Sequence, residues 1–166
     1  MSGVAIRRTE RSDIPALLAI YNHYILNTAF TFDVEPRTLA QRESWFAQFS
    51  DSGRYRCFTA AREGDAIGWA CSTVFNERAA YETSVLTSIY LAPGHTGRGI
   101  GRRLYDALFA ALADADVHRA YSGITQPNEA SVALHLAMGF RHTGTYREVG
   151  RKFGRYWDVA WYEKAL

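Results

Sequence analysis

A chain of 166 residues is long enough to bury one core and sits within the size of a single domain, so one domain over residues 1–166 is expected. Apolar residues make up 48% and charged residues 22%, the composition of a folded globular chain. The net charge of +2 comes from 19 basic and 17 acidic residues spread along the sequence, which argues against a nucleic-acid partner, since that would need a clustered basic face. Cys57 and Cys71 lie in strand-like runs without CxxC spacing and read as buried free thiols, not as a zinc or redox site. With neither a charged-then-apolar leader nor an apolar run of membrane-spanning length, a cytoplasmic protein with no membrane partner is expected.

In chain order, residues 4–8 (VAIRR) alternate like a first strand. Ser12 is placed to cap a helix in which Ile14, Leu17, Leu18, Tyr21 and Ile25 recur with a 3.6-residue period. Residues 27–33 (NTAFTFD) read as a loop carrying two phenylalanines. Thr38, with Gln41 three positions later, is a capping-box pattern that opens a second helix to about Phe49. Residues 56–63 and 66–75 read as a hairpin about Gly64-Asp65. The β-branched and aromatic run 83–92 (TSVLTSIYLA) reads as a central strand. A glycine-rich loop follows, then a third helix marked by Leu104, Leu108, Ala111 and Leu112 and ending near Asp114. Residues 119–124 make another strand. Asn128 caps a fourth helix that stops at Gly139, the usual left-handed residue past a helix end, and residues 142–149 and 156–163 finish as two strands. This order, β-α-α-β-β-β-α-β-α-β-β, points to an α/β or α+β sheet covered by helices.

The chemistry is concentrated in residues 90–104 (YLAPGHTGRGIGRRL). A Walker A loop fails, because Gly101 is followed by Arg102 and Arg103 where lysine and a hydroxyl residue are needed. A dinucleotide fingerprint fails too, because its third glycine would fall on Arg102 or Leu104. What remains is Gly97, Gly99 and Gly101 alternating between a strand and a helix start. Glycine there lets backbone N–H groups approach a ligand, and the helix N-terminus adds unpaired donors and about half a positive charge. Arg98, Arg102 and Arg103 offer forked partners for phosphate oxygens. Glycine inside a helix costs about 0.8–1 kcal/mol, so three in alternation argue for a ligand rather than a plain turn.

The segment SIYLAPGHTGRGIGRRLYDAL resembles the acyl-CoA-binding core of the GCN5-related N-acetyltransferase (GNAT) superfamily. Four more segments resemble, in order, its phosphinothricin and methionine sulfoximine N-acetyltransferase branch: IYNHYILNTAFTFD (20–33), ERAAY (77–81), QPNEASVALHLAMGF (126–140) and YREVGRKFGRYWDV (146–159). The resemblance implies the GNAT fold, a mixed central sheet of about seven strands flanked by about four helices. It further implies acetyl-CoA as cosubstrate, no metal, and direct acetyl transfer in a ternary complex to the amino group of a small amino acid or amino acid analogue. By the same resemblance Ile89, Tyr90 and Leu91 present backbone groups to the pantetheine arm and thioester, with Tyr90 counted as catalytic through an oxyanion-stabilising N–H. Thr96, Gly97, Arg98, Gly99, Ile100, Gly101 and Arg102 hold the pyrophosphate, although Thr96 replaces the family's glutamine or arginine. Asn128 and Ser131 meet the pantetheine. Phe30, Phe32, Arg78, Tyr81 and His135 line the acceptor pocket, with Arg78 directed to its carboxylate or phosphinate. His135 also stands where the superfamily usually has the tyrosine that protonates the leaving thiolate, and is expected to handle the proton. The branch implies a homodimer whose late strands lie near the shared region.

One position departs from the branch. Leu86 stands where a carboxylate is expected to take the proton of the acceptor ammonium, a role typically contributing 10²–10⁴-fold. An α-amine with a pKa near 8 is already roughly a quarter neutral at pH 7.5, whereas a lysine-type amine is under about 1% neutral. The substitution therefore points to an α-amine or other weakly basic acceptor, with a more apolar pocket and His135 as proton carrier. Glu82, about 13 Å away along the strand, is a weak substitute. The alternative is an acyl-CoA-binding module that has lost turnover; nucleotide binding by the loop is a third reading.

Overall fold

The computed structural model describes residues 3–166. Seven strands form one sheet in the order β1-β2-β3-β4-β5-β7-β6. They are β1 (Val4–Arg8), β2 (Cys57–Arg62), β3 (Asp65–Val74), β4 (Ser84–Leu91), β5 (Arg119–Thr125), β6 (Arg141–Lys152) and β7 (Arg155–Ala165). Four α-helices cover it: α1 (Ile14–Asn27), α2 (Leu39–Phe46), α3 (Ile100–Leu112) and α4 (Glu129–Ala137). Each pairing is antiparallel except β4 with β5, which run parallel because α3 carries the chain between them.

α3 lies on one face of the sheet because its apolar residues recur on one stripe: Ile100, Leu104, Leu108 and Leu112 are buried, and Tyr105 is buried beside them. Each such side chain contributes about 1.5–3 kcal/mol. α1 covers the other face, packing Leu17 and Ile20 against Cys57, Trp69 and Cys71. Arg42 of α2 is buried there with its guanidinium 3.4 Å from the Trp45 ring centre and 4.6 Å from that of Trp69, so aromatic faces stand in for anionic partners. Both cysteines are buried and unbridged.

Several boundaries differ from the expected ones. Ser12 does not cap α1. Residues Arg11–Asp13 form a 3-10 turn, and the side chain that closes it belongs to Asp13, which accepts the Glu10 N–H at 2.9 Å. α2 ends at Phe46 rather than Phe49, and Asp65 belongs to β3, paired with Arg62, leaving Glu63-Gly64 as the turn. The last two strands are longer than their alternation suggested and meet at the tight turn Phe153-Gly154, both with positive φ, which matches the twist of a two-residue hairpin.

Asp13 couples the first strand to the first helix. Its two oxygens each receive an Arg7 guanidinium nitrogen at 2.7 Å. Burial pushes the carboxyl up, but the Arg7 and Glu10 hydrogen bonds outweigh it and hold the group below the usual carboxylate range. With the folded pKa depressed, the stabilisation is present above the unfolded value of about 3.9 and is lost as pH falls through the folded one. Asp13→Asn should therefore lose about 1–3 kcal/mol at pH 7 by urea denaturation, and the gap to the parent should narrow as pH falls through the folded carboxyl's depressed pKa.

Candidate functional site

β4 and β5 pair only at their starts, Ser84 to Leu86 against Arg119 to Tyr121. Beyond that point β5 stays with β7 along its whole length, so the two parallel strands part and open a cleft of about 830 Å³. Its walls are the second half of β4, the glycine loop with the start of α3, the end of β5, and the start of α4.

Backbone direction along β4 follows from the ladder. The Ala92 N–H donates to the Ile67 carbonyl on β3 at 2.8 Å, so the even residues of β4 turn their polar groups toward β3. The odd residues turn theirs toward the opening, as the Thr87 carbonyl does in accepting the Ser122 hydroxyl. Ile89 and Leu91 thus present N–H groups to the cleft, and the Leu91 carbonyl is already taken by the Tyr24 hydroxyl at 2.7 Å. This corrects the expectation for Tyr90, whose own N–H faces β3. Tyr90 builds the wall instead: its ring stacks on Trp69 at 5.0 Å, and its hydroxyl donates to the Phe30 carbonyl at 3.4 Å. Burial raises its pKa, so it stays a neutral phenol.

The loop turns tightly into α3 beside the cleft. Gly97 and Gly99 have φ of 72° and 74°, and Gly99 is the residue preceding α3, so the turn needs residues free of a Cβ penalty at both places. Gly101 serves packing: a Cβ there would lie 3.0 Å from Leu134 of α4. Thr96, Gly97, Gly99, Gly101 and Arg102 line the cleft, as do Ile89, Tyr90 and Leu91. Ile100 is buried and can offer backbone alone; the exposed Arg98 is not on the wall. Arg103 is drawn elsewhere, donating to the Val4 carbonyl at 2.8 Å, which removes it from the expected phosphate partners.

Asn128 and Ser131 also line the cleft. The Asn128 side chain accepts the Ser131 N–H at 3.2 Å, capping α4, and Asn128 can still offer its amide N–H groups to a ligand. His135 lies one turn further on, against the cleft wall but 1% exposed. Its Nδ1 lies 2.7 Å from the Ser131 carbonyl and its Nε2 2.9 Å from the Tyr105 hydroxyl. Burial pushes the imidazole pKa down, only partly opposed by the Ser131 carbonyl.

The expected acceptor residues are split. Phe30 lines the cleft; Phe32 lies outside it, its ring over Gly150 of β6 so closely that a Cβ there would sit 2.1 Å from a ring carbon. The buried Lys152 ammonium donates to the Thr31 carbonyl at 2.8 Å and pins the same loop. Arg78 and Tyr81 are exposed at a 3-10 turn before β4 and do not line the cleft. Tyr81 approaches Phe75 at 5.8 Å, and Phe75 stacks on Tyr121 at 4.5 Å. Leu86, paired with Thr73 and Tyr121, shares the face of that stack. Glu82 lies before β4, 3.9 Å from Arg54.

Sequence reading missed Tyr24, Tyr105 and Gly68. Tyr105 sits inside the apolar stripe of α3 and reads as core; only its hydroxyl, which needs a partner when buried, hinted at more. Gly68 faces Leu91, and a Cβ there would lie 2.6 Å from the Tyr90 carbonyl. An isolated glycine within a strand run was the available signal. Among the described residues no group of His, Cys, Asp and Glu is placed to hold a metal ion, and no helix is long and apolar enough to cross a membrane.

The acetyltransferase (GNAT) domain family matches residues 6–161. A phosphinothricin N-acetyltransferase of Streptomyces coelicolor is 53% identical over 165 residues, 98% of this chain and 96% of its own. An L-methionine sulfoximine/L-methionine sulfone acetyltransferase of Pseudomonas aeruginosa is 30% identical over 162 residues, 98% of this chain and 94% of its own. The crystal structure of a phosphinothricin acetyltransferase of Sinorhizobium meliloti in complex with acetyl-CoA has a TM-score of 0.93 and 30% identity, covering 100% of this chain and 89% of that one.

Proposed function

The chain belongs to the acetyltransferase (GNAT) domain family and is an acetyl-CoA-dependent N-acetyltransferase, and we propose that its acceptor is the α-amine of a small amino acid or analogue of the phosphinothricin or methionine sulfoximine type. The parting of β4 from β5 beside an anion-binding helix start carries this reading, because it leaves strand donors and phosphate donors on one continuous wall. The glycine loop and Arg102 hold the pyrophosphate, and Asn128 with Ser131 holds the pantetheine arm. An N–H of Ile89 or Leu91 polarises the thioester carbonyl and stabilises the tetrahedral oxyanion, a fixed donor typically worth about 3–4 kcal/mol. The amine, bound with acetyl-CoA in a ternary complex, attacks directly and the thiolate leaves.

Phe30 and the Phe75–Tyr121 stack border the acceptor side, and Arg78 at the exposed turn before β4 is the cation offered to the acceptor's anionic group. A guanidinium suits this because it forks onto two oxygens. His135 is the proton-handling group. Leu86 restricts the enzyme to amines that lose a proton readily. The reading as a binding module without turnover is not favoured, because the transferase relatives match nearly the whole chain.

Tyr146, Val149, Phe153 and Tyr156 are exposed on the outer hairpin β6–β7, and we read the protein as a cytoplasmic homodimer. Release of free CoA thiol with single amines tests the function. Phosphinothricin, methionine sulfoximine, methionine sulfone, ordinary amino acids, polyamines and aromatic amines are each run at pH 7 and pH 9. Turnover with α-amino acid analogues that rises with pH is expected; transfer confined to polyamines would overturn the acceptor assignment.

A further inference from the structure

With Leu86 in place of a carboxylate, the acceptor ammonium meets no acidic group on its own face of β4. On the opposite face, where β4 and β5 part, four side chains form a connected polar string. Thr87 and Ser122 are 2% and 4% exposed. The Thr87 hydroxyl donates to the Tyr121 carbonyl at 3.2 Å, and the Ser122 hydroxyl donates to the Thr87 carbonyl at 3.3 Å. Both hydroxyls also face the phenol of Tyr105, whose oxygen lies 2.9 Å from His135 Nε2. Tyr105 is fully buried and touches no cleft surface itself, while Thr87, Ser122 and His135 all line the cleft.

Elementary chemistry sets the proton positions. The Ser131 carbonyl can only accept, so His135 Nδ1 carries the hydrogen. Burial keeps the imidazole neutral, which leaves Nε2 bare and makes Tyr105 the donor to it. The basic lone pair of His135 thus points away from the acceptor and toward Tyr105, and Tyr105 stands between it and the two cleft hydroxyls. The titratable neighbours are few. Tyr105 of α3 and Tyr162 of β7 pack on the imidazole, and the Lys164 ammonium of β7 sits nearby on the Met138 carbonyl.

We propose that Tyr105 relays a proton between the Thr87 and Ser122 hydroxyls and His135 Nε2, making His135 the base from behind the site in place of a carboxylate at position 86. The proposal rests on the acetyl-transfer reading above. The acceptor ammonium passes one proton to a cleft hydroxyl as that hydroxyl, turned about its C–O bond from its carbonyl to the phenol, passes its own to Tyr105 and Tyr105 passes its own to Nε2. The hydroxyls and the phenol end neutral, and His135 becomes imidazolium. The amine keeps the electron pair and forms the C–N bond to the thioester carbon. Collapse breaks the C–S bond with its electron pair going to sulfur, and the same string run backward returns the proton to the CoA thiolate. The second amine proton leaves to water. A buried imidazolium is costly, so His135 holds the proton briefly and gives it back readily. Tyr105 acts through its neighbours and is a positioning residue.

Tyr105→Phe removes one oxygen and keeps the ring, and thermal unfolding verifies that the fold is kept. The expected result is a kcat about tenfold lower at pH 7, an acetyl-CoA KM within about twofold of the parent, and a deficit that shrinks toward pH 9, where an α-amine deprotonates unaided. His135→Gln should show the same profile, and the double variant should be no slower than either single one. A folded Tyr105→Phe enzyme with the parent pH–rate profile would overturn the relay. Nitrogen NMR of the parent gives an independent reading: the neutral imidazole should carry its hydrogen on Nδ1, and hydrogen on Nε2 would refute the arrangement whatever the activity. Failure of the transfer reading looks different, as absence of acetyl transfer by the parent enzyme at every pH.

Discussion

Leu86→Glu is expected to raise acetylation of a lysine-type amine at pH 7.5 by about 10²-fold or more, while changing that of an α-amine by less than about tenfold. The asymmetry follows from proton availability. An amine of pKa about 10.4 is almost wholly protonated at this pH and gains the full benefit of a base, whereas an α-amine is already partly neutral. The position favours a working base, because residue 86 is half-buried and shares its face with the Phe75–Tyr121 stack. Partial burial there would raise a carboxyl pKa toward neutrality, where a general base is most effective. The check is kcat/KM for the two amine classes in parent and variant, measured at pH 7.5 and pH 9. An equal change in both classes, or none in either, would show that residue 86 does not face the acceptor.

Gly68→Val should be the most damaging single change outside the glycine loop. At this position even a Cβ would sit 2.5 Å from the Leu91 side chain and 2.6 Å from the Tyr90 carbonyl, and a backbone oxygen cannot swing aside. β4 must shift where its N–H groups face the cleft. Overpacking of this kind costs about 1–3 kcal/mol, or a melting temperature roughly 3–10 °C lower for a domain of this size. The functional effect should exceed the stability effect, because a shift of about 1 Å can cost 10²-fold in rate. Thermal unfolding together with kcat/KM for acetyl-CoA tests this. A variant that loses stability but keeps parent kcat/KM would show that β4 gives way elsewhere.

Most of the architecture was legible because it is written in local periodicity. The apolar stripe of α3, the capping box at Thr38 and the β-branched run of β4 each follow from interactions within a few residues. The misses are places where a distant partner decides. Asp13 rather than Ser12 closes the turn before α1 because Arg7 of β1 reaches it, and β6 and β7 run on past their alternation because each supplies the other's hydrogen bonds. The glycine loop was readable for a related reason, since its turn is built from consecutive residues.

The sequence by itself determined the element order, the glycine loop between β4 and α3, and the family, all of them carried by neighbouring residues. Tertiary structure alone decided which strand groups face the cleft, that Arg103 is spent on β1, that Phe30 lines the cleft while Phe32 packs on Gly150, and that His135 Nε2 meets the Tyr105 hydroxyl. These depend on where β4 leaves β5 and on which side chains, far apart in the chain, close around that gap. The physical reason is that hydrogen-bond direction and burial are properties of the assembled interior, and no stretch of sequence contains them.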